Sequence, residues 1–146
     1  MVRRVLAGLC VGVMCIFGAS CGQTYKLESI AVTPSTGYSF KALGDTGALV
    51  VVATFSNTKT SVVTGSSTYQ VGSSTAPNNA APLGVVTVDK SGMVINSSTL
   101  VACTYDPVSG APYPYPVTVT YIENGVTATK IVPINVSTAP GCNSGA

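Results

Sequence analysis

The chain has no histidine and no tryptophan, and charged residues make up only 8% of it. Without histidine there is no Ser-His-Asp or Cys-His pair and no imidazole base. A structural zinc site wants about four Cys or His ligands, so that is excluded on the same ground. The few charges stand singly along the chain. Nucleic acid is held by clustered Lys and Arg, and with no such cluster it is not an expected partner. The carboxylates are isolated in sequence, so an acid/base pair would have to be assembled by the fold. Helical periodicity is missing too: nowhere does a 3.6-residue apolar period persist for three turns. No catalytic residue, metal ligand or cofactor is expected, and the chain reads as a non-enzyme.

What is present begins at the N-terminus. Arg3 and Arg4 supply positive charge, Val5 to Phe17 is an unbroken apolar run, and Gly18-Ala19-Ser20 places small residues before Cys21. That order is the order of a bacterial export signal. The run falls short of the roughly 20 apolar residues that span a bilayer. The junction resembles the lipobox of bacterial lipoproteins, in which the cysteine takes a diacylglycerol and becomes the mature N-terminus. The family usually has Leu where this chain has Gly18, so ordinary cleavage with an unmodified Cys21 is the alternative. Gly22, rather than Asp, follows the cysteine. The resemblance then implies a cell-envelope location, in the outer membrane if the host is Gram-negative; the non-lipidated alternative is periplasmic or secreted.

Loss of the signal removes Arg3 and Arg4. The five lysines that remain (Lys26, Lys41, Lys59, Lys90, Lys130) are matched by Glu28, Asp45, Asp89, Asp106 and Glu123. The cysteines sort by location as well. Cys10 and Cys15 fall in the apolar run and Cys21 at the lipidation junction, which leaves Cys103 and Cys142. In an oxidising compartment one such pair is expected to form a disulfide.

Short runs of period-2 alternation, broken by turn residues, predict strands over most of the remaining chain. Leu27 to Pro34 is the first. Ser39 to Leu43 is a short edge candidate. Ala48 to Phe55 puts Leu49, Val51, Ala53 and Phe55 on one face; Val50 and Val52 load the other, which predicts a central strand. Ser61 to Val71 reads as one Thr/Val/Ser-rich strand anchored by Tyr69. Residues 72–82 are polar and small, expected to form a mobile loop. Val85 to Val88 and Met93 to Ile95 flank the turn Asp89-Lys90-Ser91-Gly92. The clearest signal comes last. Val117, Val119 and Tyr121 share one face, Asn124-Gly125 supplies a hairpin turn, and Val132, Ile134 and Val136 share a face on the return. About seven antiparallel strands predict an all-β sandwich. The expected layout is a signal peptide at 1–20, a tether at 21–26, the sandwich at 27–137 and a tail at 138–146.

Several stretches resemble the group 2 bacterial immunoglobulin-like domains. Leu27-x-Ser29-Ile30-x-Val32-Thr33-Pro34 is similar to their first strand, and Gly44-Asp45 precedes a valine-rich second one. Val88-Asp89-x-x-Gly92-x-Val94 is similar to their middle signature. The resemblance covers residues 27–136 and implies an immunoglobulin-like sandwich. It departs from the family at Tyr69, where tryptophan is common, in the enlarged loop 72–84, and in the Cys- and Pro-rich segment between Ile95 and Val117.

Three patterns bear on function. Ser56-x-x-Lys59 matches a nucleophile motif of penicillin-binding enzymes, but it lies in a predicted turn and the Ser-Asp-Asn and Lys-Thr-Gly elements are missing. Asp45, Asp89, Asp106 and Glu123 fall near turns, where a solvated role is expected in preference to calcium. The third pattern is Tyr105-Asp106-Pro107 through Pro112-Tyr113-Pro114-Tyr115-Pro116. Proline stiffens the backbone, so Tyr105, Tyr113 and Tyr115 could meet a sugar or peptide at small entropic cost. The competing reading has these rings capping the end of the sandwich. The expected function is a lipid-anchored structural or interaction module whose partner is a cell-surface protein or polysaccharide, with adhesion as one such role.

Overall fold

A computed structural model describes residues 25–142 of the protein. The expected signal, the junction at Cys21 and residues 143–146 lie outside the described residues.

The described residues are all-β, with ten strands in three mostly antiparallel sheets and no α-helix among them. In chain order the strands are β1 (Leu27–Thr33), β2 (Tyr38–Phe40), β3 (Thr46–Ala48), β4 (Val50–Phe55), β5 (Thr60–Val62), β6 (Thr68–Val71), β7 (Val86–Val88), β8 (Met93–Asn96), β9 (Tyr115–Glu123) and β10 (Val126–Val136). The sheets run β1-β4-β5, β2-β10-β9-β6 and β3-β8-β7. β2 joins β10 in parallel, through Tyr38 opposite Ile134 and Phe40 opposite Val136; every other pairing is antiparallel.

Ten strands replace the expected seven or so, in part because the chain changes sheet within Ala48 to Phe55 and again within Ser61 to Val71, each of which reads as a single strand. At Leu49 it passes from β3 to β4. The Leu49 side chain is buried at that corner, and its N–H donates to the Gly92 carbonyl at 2.9 Å. Between Val63 and Ser67 it passes from β5 to β6 through a single 3-10 turn, Thr64–Ser66. The side chains fix this second corner. Thr64 Oγ1 accepts the Val51 N–H at 2.9 Å, the buried Ser67 hydroxyl donates to the Val63 carbonyl at 2.9 Å, and the Tyr69 hydroxyl donates to the Thr64 carbonyl at 2.8 Å. Threonine and serine that read as strand residues thus serve the backbone at a bend.

All three sheets feed one core. From β4 come Val51 and Ala53, from β8 Val94, from β9 Tyr115, Val117, Val119 and Tyr121, and from β10 Val132, Ile134 and Val136. The predicted faces of β9 and β10 are the buried ones. β4 is central, paired on both sides, yet its second face is only partly covered: Val50 is 42% exposed and Val52 half-buried. The loading of both faces with valine therefore marks β propensity here and not a doubly covered strand.

Two turns have the predicted chemistry. Asn124 and Gly125 both take positive φ, 49° and 78°, between β9 and β10. Those angles match the twist of a tight hairpin. The Asp89 to Gly92 turn is held by Asp89 Oδ1, which accepts the N–H groups of Ser91 and Met93 and the Ser91 hydroxyl. Gly92 has φ 80°. A Cβ there would lie 2.8 Å from the Leu49 carbonyl oxygen, so glycine alone fits.

Candidate functional site

Residues 99–114 cross the end of the molecule where β9 starts and β10 stops. They form no ladder of their own. Cys103 pairs with Ser137 and Tyr105 with Pro112 as isolated bridges. Between those last two residues the chain folds back as a small loop built by Asp106. Its Oδ1 accepts the N–H groups of Val108 and Ser109, both at 2.7 Å, while its backbone N–H donates to the Ala111 carbonyl at 2.9 Å. The amides of Ser109 and Val108 hold the Asp106 carboxyl below the ordinary carboxylate range. Its role is to shape the loop.

The loop is fastened from below. Thr104 is fully buried, and its Oγ1 accepts the Val136 N–H at 2.9 Å, while its carbonyl accepts the Tyr113 N–H at 2.6 Å. Cys103 and Cys142 form a disulfide with Cα atoms 5.5 Å apart, as the cysteine sorting predicts. The residues leading to Cys142 are already aligned: the N–H groups of Thr138 and Ala139 both donate to the Ala102 carbonyl at 3.0 Å. The loop expected to be mobile is pinned to the same end. Ser74 donates to the Tyr113 carbonyl, Cys103 N–H donates to the Ala80 carbonyl at 2.7 Å, and Gly72 N–H to the Pro116 carbonyl at 2.8 Å.

The three candidate rings part company here. Tyr105 and Tyr113 are half-buried and keep exposed area. Tyr115, expected as a third surface ring, is a core residue only 1% exposed, because it opens β9 in phase with Val117 and Val119. Its hydroxyl donates to the Pro82 carbonyl at 2.7 Å, and burial pushes its pKa up to about 12. Tyr115 therefore has no ring surface to offer a ligand.

The opposite end of β9 carries a groove of about 440 Å³ that sequence reasoning did not single out. Tyr25, Phe55, Lys59, Glu123 and Asn124 line it, drawn from the chain entry and from the β4–β5 and β9–β10 turns. Lys59 Nζ lies 5.4 Å from the Tyr25 ring centroid. An ammonium placed over a ring face in this way is attracted by the ring's quadrupole. Ser56 and Lys59 occupy the β4–β5 turn, and Ser56 Oγ accepts the Lys26 N–H at 3.1 Å, so serine and lysine each have another partner. Glu123 accepts the Tyr121 hydroxyl, which raises the pKa of that tyrosine. Asp45, like Asp89 and Asp106, turns its carboxylate on its own loop, accepting the N–H groups of Lys41 and Ala42.

A second shallow groove of about 390 Å³ runs between the β5–β6 corner and the β7–β8 turn, lined by Ser66, Tyr69, Asp89 and Lys90. Burial, and after it the nearby Asp89 charge, raise the Tyr69 pKa. No family model and no curated protein matches the chain.

Proposed function

We propose that this is an exported, lipid-anchored, non-catalytic module of the bacterial cell envelope, with an immunoglobulin-like sandwich of the group 2 type, presenting residues 105–113 to a cell-surface partner. The observation that carries the reading is the Cys103–Cys142 disulfide. It joins the two cysteines that follow Cys21, and such bridges persist in oxidising compartments. Support for the fold type comes from β1, which the first-strand signature forms, and from the Asp89–Gly92 turn, which the middle signature forms between β7 and β8. The intact mass of the mature protein from membrane fractions tests the proposal. A chain starting at diacylglycerol-modified Cys21 with no titratable thiol is expected. A start at Gln23, an unmodified Cys21 or two free thiols would refute it.

A binding role for Tyr105 and Tyr113 is favoured by their setting. Both rings keep exposed area on a loop held by a disulfide, a buried threonine and an Asp-built turn. Little order therefore remains to be gained on binding. Rigid tyrosines make effective contact area for sugars and peptides. Tyr113→Ala should abolish binding to glycan or cell-surface preparations while leaving the melting temperature nearly unchanged. A loss of several degrees would make the ring structural and remove this reading.

A further inference from the structure

The chain enters the described fold at the end opposite the tyrosine loop. Tyr25 shares its groove with Glu123 and Asn124, at the last residues of β9 and the turn beyond. Tyr105, Tyr113 and the disulfide lie beyond the first residues of β9. At the usual rise per residue, a strand the length of β9 is about 27 Å long, so the two ends are well separated. Cys21 precedes Tyr25 by four residues. At full extension such a segment reaches no more than about 14 Å. A lipid on Cys21, the reading proposed above and the one this inference rests on, would therefore hold the Tyr25 end close to the bilayer.

We infer that this end is a membrane-seating surface for a zwitterionic lipid interface, and that the tyrosine loop consequently faces away from the membrane. The side chains suit that partner. Tyr25 is 40% exposed and Ile122 60% exposed, and the Lys59 ammonium lies over the Tyr25 ring. An amphipathic ring, an aliphatic side chain and a lysine that can extend its ammonium to the headgroups form an interfacial anchor set. Lys26 and Lys59 are offset by Glu28 and Glu123 at the same end. The seat therefore needs no anionic lipid and should be insensitive to salt.

The absence of tryptophan makes the test direct, since one substitution gives a unique fluorophore. Tyr25→Trp and Val108→Trp would each be made in the full chain, purified in lipidated form and reconstituted in phosphatidylcholine vesicles with bromine on the upper acyl chain. Val108 is 94% exposed on the tyrosine loop. The Tyr25→Trp protein should lose most of its emission to brominated lipid and shift to the blue, in low and high salt alike. The Val108→Trp protein should be unaffected. Equal quenching of the two, or an unquenched Tyr25→Trp in protein of lipidated mass, would overturn the orientation alone. Protein lacking the lipid by intact mass would overturn the anchor, and the seating with it.

Discussion

Replacing Cys103 by alanine and Cys142 by serine should cost the protein stability chiefly by freeing its unfolded chain. The bridge spans a sequence separation of 39 residues. In the chain-entropy model, closing a loop of that length stabilises by about 4 kcal/mol at about 25 °C. What would remain without it is a few backbone hydrogen bonds from Thr138 and Ala139 to Ala102 and one to the Thr138 hydroxyl. Thr138 and Ala139 are only half-buried, so these bonds open locally at low cost. For a domain of this size about 4 kcal/mol corresponds to a fall in melting temperature of roughly 15 °C. Alanine at the buried position avoids burying a hydroxyl, and serine at half-buried Cys142 keeps the edge polar. Urea denaturation of parent and double variant gives the difference directly. Amide exchange should show faster opening first at residues 99–113 and 137–142, with β9 and β10 slower. A double variant within a degree or two of the parent would refute the entropic argument and make the bridge incidental.

Tyr115→Phe should cost about 1–2 kcal/mol by leaving the Pro82 carbonyl without its donor, whereas Tyr115→Ala, which also empties a buried site, should cost about 3–5 kcal/mol. Stability should fall as pH rises from about 10, the ordinary tyrosine value, towards about 12. The unfolded chain releases the Tyr115 proton near 10 while the folded one holds it to about 12, so the unfolded state binds fewer protons across that window and gains. Tyr69 and Tyr121, also raised, add the same sign, and urea midpoints against pH should be flatter in Tyr115→Phe. Gly92→Ala should lose at least about 2 kcal/mol by chemical denaturation, from left-handed backbone strain together with a Cβ pressed on the Leu49 carbonyl. Asn96→Asp should be destabilised on the order of 3 kcal/mol at neutral pH, because the buried Asn96 Nδ2 donates to the Ala42 carbonyl at 2.8 Å and a carboxylate cannot; partial recovery in acid, where the carboxyl regains a proton, is the check.

Much of the fold follows from local rules because its longest elements obey one period throughout. In β9 every second residue from Tyr115 to Tyr121 is buried, and in β10 Val132, Ile134 and Val136 are. Asn124-Gly125 and Asp89-x-x-Gly92 announce their turns because few other residues tolerate those backbone angles. The two sheet changes were hidden for the opposite reason. Leu49 sits in an apolar, valine-rich run and the Val63–Ser67 stretch is rich in hydroxyl residues, both compositions of strands, while the backbone swings between sheets. What turns them is contact distant in sequence, Gly92 with Leu49 and Val51 with Thr64. The parallel seat of β2 on β10 has the same character. Phe40 is buried there against strands nearly a hundred residues away, and no local pattern encodes that partner.

The site shows how composition and phase can disagree. Tyr-Pro alternation treats Tyr105, Tyr113 and Tyr115 as equivalent rings on one stiff backbone. Phase separates them. Counting back in twos from Tyr121 through Val119 and Val117 lands on Tyr115, so the strand pattern already assigned that ring to the core. Tyr113 falls in the same phase but beyond the strand, where its N–H goes to Thr104 and its carbonyl to Ser74. The alternation thus has no authority past the point where ladder pairing stops. No such signal marked Tyr25. It gains its neighbours, Lys59 and Glu123, only because β1 lies antiparallel to β4 with Leu27 opposite Phe55 and the β9–β10 turn closes at the same end. Such a ring acquires its meaning from topology. It is topology, too, that sets this ring and the tyrosine loop at opposite ends of one strand.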